Sequence, residues 1–77
     1  PATAAKFLQR ALNALNRSGG DYLDVKPDGA VGPATLAALA AFLRVRGVKG
    51  EAVLLRALQA LQGAHYLSLA ESRPANE

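Results

Sequence analysis

Apolar positions recur at steps of three and four in the first stretch of the chain, at Phe7, Leu8, Ala11, Leu12 and Leu15, with Lys6, Gln9, Arg10 and Asn13 between them. That spacing gathers apolar side chains on one side of an α-helix and predicts a helix over about 3–16. Arg17-Ser18-Gly19-Gly20 ends it, because paired glycines supply a C-cap and a flexible exit. From Asp21 to Gly32 the period is lost, which predicts an ordered loop over 17–32 pinned to the core by Tyr22, Leu23, Val25 and Val31. A short hairpin inside this loop is the alternative, disfavoured by its charge and glycine content.

Pro33 follows Gly32 and suits a first helical position, where its missing N–H has no partner to lose. A second helix over about 33–46 then carries Leu36, Leu39, Ala40 and Leu43 as its buried stripe. Gly47 and Gly50 bracket a short connection, and Glu51 in the first turn of a third helix complements the helix dipole. Leu54, Leu58, Leu61, His65 and Leu69 continue in steps of three and four, so this helix spans about 50–70, with a weak point at Gly63. The pattern as a whole predicts an all-α fold, a three-helix bundle with one ordered loop and a flexible tail over 71–77.

Composition narrows this picture. Seventy-seven residues make one domain over 1–77, and 51% hydrophobic residues with only 5% aromatics mean a core of Leu, Val and Ala. No cysteine is present, so neither disulfides nor thiolate zinc sites supplement that core. No apolar run approaches the roughly 18 residues of a membrane span, and no signal-peptide pattern appears. The chain starts at Pro1 and ends in the polar run 72–77, which reads as an excised piece of a longer protein. Nine Lys and Arg against six Asp and Glu give +3, a mild bias toward acidic partners such as peptidoglycan, nucleic acid or anionic membranes.

The most specific string is Asp28-Gly29-Ala30-Val31-Gly32-Pro33-Ala34-Thr35-Leu36. Asp28 can close an Asx turn on N–H groups two residues on, Gly29 tolerates positive φ, and Val31 can plug the turn into the core. Gly32 permits close approach before Pro33 starts the helix, and the Thr35 hydroxyl can reach back to the loop or cap a backbone group. Turn closure and helix initiation thus account for Asp28, Gly29, Gly32, Pro33 and Thr35, with a ligand contact by Asp28 as the alternative reading.

With Leu-Asn-Ala-Leu-Asn-Arg (12–17) before it and Leu-Gln-Ala-Leu-Gln-Gly-Ala-His-Tyr (58–66) after it, this string resembles the predicted peptidoglycan domain that follows the catalytic domain of phage-type and secretion-associated N-acetylmuramidases. Its Asp-Gly-x-x-Gly-x-x-Thr core is similar to that of the wider peptidoglycan-binding domains, which are three-helix modules. The resemblance runs from about Phe7 to Pro74. It implies a non-catalytic, wall-binding role beside an N-terminal muramidase domain, in the bacterial cell wall or periplasm or in a phage lysis protein. The family's Glu-Gly-Gly type catalytic motif is absent, and so is its C-terminal Gly-Trp segment, since the chain has no Trp.

Candidate ligand contacts follow from side-chain chemistry. Tyr22 and Tyr66 offer an apolar face and a hydroxyl to a sugar ring, with core or edge packing as the other reading. Asn13, Asn16, Gln59 and Gln62 carry donor–acceptor groups suited to hydroxyls and N-acetyl amides, or simply face solvent. Arg44, Arg46 and Lys49 oppose the dipole at the end of helix two. With Arg17 and Lys26 they are also candidates for wall carboxylates. The set with a ligand role is Asn16, Arg17, Tyr22, Asp28, Arg44, Arg46, Gln62 and Tyr66.

Other chemistry is poorly served. Asp21, Asp24 and Asp28 lack the alternating oxygens and terminal glutamate of an EF-hand loop, so no metal is expected. His65, the sole histidine, falls on the apolar stripe of helix three and reads as a packed core residue. Glu51 and Glu71 near helix ends and Glu77 in the tail read as solvated charges rather than a glycosidase pair. No cofactor, nucleic acid or membrane insertion is expected, and the chain does not specify its oligomeric state. A helix-turn-helix reading conflicts with the long loop before helix two and with Ala and Leu at its start. A protein-docking domain remains the competing function.

Overall fold

The computed structural model describes residues 2–72. Helix α1 spans Ala2–Ala14, a single 3-10 turn follows at Arg17–Gly19, and helix α2 spans Pro33–Glu71, with no strand among the described residues. The fold is all-helical, but it counts two helices rather than the expected three. The anticipated connection between the second and third has shrunk to one residue. Gly47, at φ 64° and ψ −154°, is the only non-helical residue inside α2. A single glycine in that left-handed region re-aims the chain, so Val48 and Lys49 already belong to the following arm. Gly50 lets that arm fold close: a Cβ there would stand 2.1 Å from Arg46 Cβ and 3.5 Å from the Phe42 ring. The helix passes through Gly63 without a break. Of the anticipated tail, Glu71 is helical, and 73–77 lie outside the described residues.

The core joins all three stretches. Leu12 and Phe42 are fully enclosed and pack with Ala11, Val25, Ala38 and Leu54, while Leu8, Leu15, Leu39, Leu58 and Leu61 close the edges. Each large side chain enclosed in this way contributes about 1.5–3 kcal/mol, so two or three of them dominate the stability of so small a domain. The arm over 33–46 is rotated relative to its expected stripe. It buries Thr35, Ala38, Ala41 and Phe42, and leaves Leu36 and Leu43 exposed. The reason is steric: Phe42 is the bulkiest side chain of that arm, and turning it inward fixes which residues accompany it.

Two corrections concern the loop. Val25 is buried and Tyr22 half-buried, but Leu23 is 87% exposed and Val31 lies largely in solvent, so neither pins the loop to the core. The arm over 48–71 follows its expected stripe only while α1 accompanies it. Leu69 is exposed because α1, with 13 residues against the arm's greater length, has ended by then. The molecule is accordingly elongated, at 49 × 24 × 19 Å.

Candidate functional site

One flank of α1 holds the loop. Gln9 and Asn13, four residues apart, stack their carboxamides along one side of α1, and Asn16 follows in extended backbone just past its end. Gln9 is fully buried, and its amide nitrogen lies within hydrogen-bond distance of Asp28 Oδ1 (3.2 Å), the Ala30 carbonyl (3.0 Å) and Thr35 Oγ1 (3.0 Å). Its own carbonyl oxygen accepts from Gly29 N–H at 2.9 Å. Asn13 pairs with the backbone of Val25 in both directions, donating to the carbonyl at 2.7 Å and accepting from the N–H at 2.8 Å. Asn16 donates to the Tyr22 carbonyl and to Asp24, and accepts from Asp21 N–H at 3.0 Å. A segment without regular structure thereby has its backbone groups satisfied by side chains, as a partly enclosed loop requires.

The Asp28 turn completes this flank. Asp28 Oδ1 accepts from Ala30 N–H at 2.9 Å, and this bond, followed by the Gln9 amide, holds the carboxyl below its ordinary pKa. Gly29, at φ 80°, lies so close to α1 that a Cβ would stand 3.0 Å from the Ala2 side chain. Gly32 and Pro33 begin α2, and the Thr35 hydroxyl meets Gln9 of α1 rather than the loop or a backbone cap.

The candidate contacts fall in three places. Arg17 forms a two-point ion pair with Asp21, at 2.8 and 3.3 Å, which lowers the Asp21 pKa and raises that of Arg17. Arg46 donates to the Leu15 carbonyl at 3.1 Å and lies 5.4 Å above the Phe42 ring. Tyr22 donates its hydroxyl to the Leu12 carbonyl at 2.6 Å and meets Phe42 edge-on, and burial raises its pKa. Asn16, Arg17, Tyr22 and Arg46 therefore gather around the C-terminal end of α1, all committed to internal partners, with Arg44 exposed nearby in sequence. Asp28 stands apart in its turn.

Gln62 and Tyr66 fall elsewhere. They lie together on α2, with Gln62 Nε2 donating to the Tyr66 hydroxyl at 3.1 Å. Beside them His65 is only half-buried, its ring edge-on to Phe7 at 5.6 Å. These side chains form one wall of an open groove of about 430 Å³, and Thr3, Ala4, Phe7 and Leu8 of α1 form the other. Neither Phe7 nor His65 was singled out by the sequence as a ligand contact. Two aromatic side chains facing each other from separate helices become visible as a site only when the helices are paired. Among the described residues no three His, Cys, Asp or Glu side chains gather as metal ligands. No described helix is long and apolar enough to cross a membrane.

Fold and groove together define a small helical module with a side-chain-clamped loop and an uncharged cleft between helices. The chain belongs to the family described as a predicted peptidoglycan domain, which matches it over residues 3–77. Membership supports a role in binding the bacterial cell wall. No curated protein matches the sequence.

Proposed function

We propose that this chain is a non-catalytic peptidoglycan-binding module that positions a muramidase domain on its N-terminal side. The observation that carries the reading is the family match along nearly the whole chain. The groove supports it: its lining has no carboxylate, whereas glycoside hydrolysis calls for a pair of them. Its position also fits, because Thr3, Ala4 and Phe7 place it at the end of α1 that a preceding domain would adjoin. Near the opposite end of α1, where Arg17 and Arg46 are held by internal partners, exposed Arg44 is the cation left to meet peptide-stem carboxylates. The setting is the bacterial cell wall or periplasm, or phage lysis of such a wall.

Cosedimentation with purified, insoluble peptidoglycan tests this, beside an electrophoretic shift assay with DNA at moderate salt. The protein is expected in the wall pellet, and DNA is expected to migrate unchanged. Protein left in the supernatant with walls of several bacterial types sinks the proposal. In a polypeptide that carries both domains, removing this module should slow digestion of insoluble wall and leave cleavage of soluble glycan unchanged. Arg44→Gln addresses this cationic contact, since an unaltered pelleted fraction removes it from the interface.

A further inference from the structure

We infer that the groove between α1 and the far part of α2 is a saccharide subsite that takes an N-acetylated pyranose of the glycan strand rather than the peptide stem. This rests on the wall-binding reading above. Three features select that ligand. The first is neutrality: the lining residues comprise aromatic, aliphatic, amide and hydroxyl groups and one imidazole, without a lysine, arginine, aspartate or glutamate. A peptide stem bearing carboxylates and amines finds no counter-charge there, whereas an uncharged sugar needs none.

The second feature is the pairing of an exposed aromatic ring with an unspent amide. Phe7 and His65 meet edge-on, His65 and Tyr66 are tilted by 39°, and Tyr66 is 60% exposed, so a ring face is open to a ligand. The Gln62–Tyr66 hydrogen bond fixes both side chains but uses one amide proton only. Gln62 Oε1, its second amide proton and the Tyr66 hydroxyl proton have no partner among the described residues. An acetamido substituent offers one N–H and one carbonyl, and a carboxamide answers both from a single side chain. The acetyl methyl would then rest against Phe7 or Leu58.

The third feature is continuity. Leu58 also lines a neighbouring depression of about 370 Å³ on the same arm, which Val48, Leu55 and one carboxylate, Glu51, line as well, so the charge-free lining belongs to the first hollow only. A glycan strand lying across Leu58 would reach both hollows, where a terminal group alone would fill only the first. Cleft volumes of this order, roughly 300–1,000 Å³, are those of small-molecule sites.

The test titrates the isotope-labelled 77-residue chain with N-acetylglucosamine oligomers of two to four units, and with glucose oligomers of matching length, followed by amide chemical shifts. Shifts are expected at residues 3–8 and 58–66, with affinity rising with oligomer length, and with glucose oligomers weaker by about tenfold because the amide partners go unmatched. Tyr66→Ala and Gln62→Ala, both at exposed positions, should each weaken oligomer binding by about three- to tenfold and reduce the pelleted fraction on insoluble wall. Equal binding of the two sugar series overturns the N-acetyl assignment. Shifts confined to the loop or to the Arg44 region, or no shifts at all, overturn the groove. Wild-type protein that pellets with wall alongside equally retained Tyr66→Ala and Gln62→Ala overturns the groove alone and leaves the wall-binding reading standing. Wild-type protein that fails to pellet overturns both.

Discussion

On one flank of α1 Gln9 is wholly enclosed and engages four loop and helix groups; across the groove from the other flank Gln62 is exposed and engages one. The two side chains have the same chemistry. At about 100° per residue, Gln9 and Phe7 project to nearly opposite sides of α1, so the clamp and the groove share a helix without sharing a surface. The difference teaches that donor–acceptor capacity becomes structural where burial and neighbouring backbone exhaust it, and becomes available to a ligand where they do not. Phe7 then belongs to the available flank even though it begins the helix's apolar pattern.

The largest effect should come from Gln9→Leu. It leaves Gly29 N–H and the Ala30 carbonyl without their partner and strands the buried Thr35 hydroxyl, at a cost of about 2–4 kcal/mol. Melting should fall by about 10 °C or more in so small a domain. Gln62→Leu should change stability by less than about 0.5 kcal/mol, as surface substitutions do. Urea titrations of both variants compare the flanks directly. Equal losses would break the distinction between them.

The next effect bears on how the groove's far wall is aimed. Gly47→Ala forces a β-carbon into left-handed backbone and should cost about 1–3 kcal/mol, although its Cβ would meet open space. Gly63→Ala, in ordinary helix with open space around it, should stabilise by about 0.5–1 kcal/mol. One chemical change thus has opposite signs at two glycines of one helix. Amide shifts in Gly47→Ala should be larger at His65 and Tyr66 than at Val25 and Gly29, because only the groove is built from the arm that Gly47 directs.

Periodicity and glycine placement made much of this legible. The apolar steps of 8, 12 and 15 and of 54, 58 and 61 located the packed faces, and Pro33 located the start of α2. The Asx bond of Asp28 and the positive φ of Gly29 could be written down from residue chemistry alone. The close approach expected at Gly32 is absent, since a Cβ there would meet open space, and Thr35 turned to α1. What escaped was the duty of polar residues. Gln9, Asn13 and Asn16 keep the same helical period as the leucines, which is a signal for a second buried flank, yet polar side chains between leucines read first as solvent-facing. Val31 and Leu23 misled for the converse reason: being apolar does not enclose a residue when side-chain amides already hold the loop at its neighbours Tyr22, Val25 and Ala30. Leu36 and Leu43 fitted the period, but Phe42 set the rotation of the arm by its bulk. Gln62 and Tyr66 could be proposed as contacts, and their partners Phe7 and His65 could not, because pairing across 58 residues of sequence is invisible to local spacing.

The smallest effect is an acid response confined to the clamped flank. In the folded chain the Asp28 carboxyl sits below its ordinary value of 3.8, first through the Ala30 N–H and then through the Gln9 amide. A depressed carboxyl contributes stability that is complete above the unfolded pKa and is lost as pH falls from there through the folded pKa. Melting temperature should therefore decline as pH drops below about 5, and the Gly29 and Ala30 amides should report the change before those of 58–66. Asp28→Asn keeps an oxygen to accept from Ala30 but cannot titrate, so its decline should be shallower than that of wild type. A residue of acid sensitivity should persist in it, because Asp21 is likewise held low, chiefly by its hydrogen bond from Arg17. Parallel pH profiles for wild type and Asp28→Asn would mean that the turn's carboxylate is interchangeable with an amide, leaving Gln9 alone to distinguish this flank from the groove.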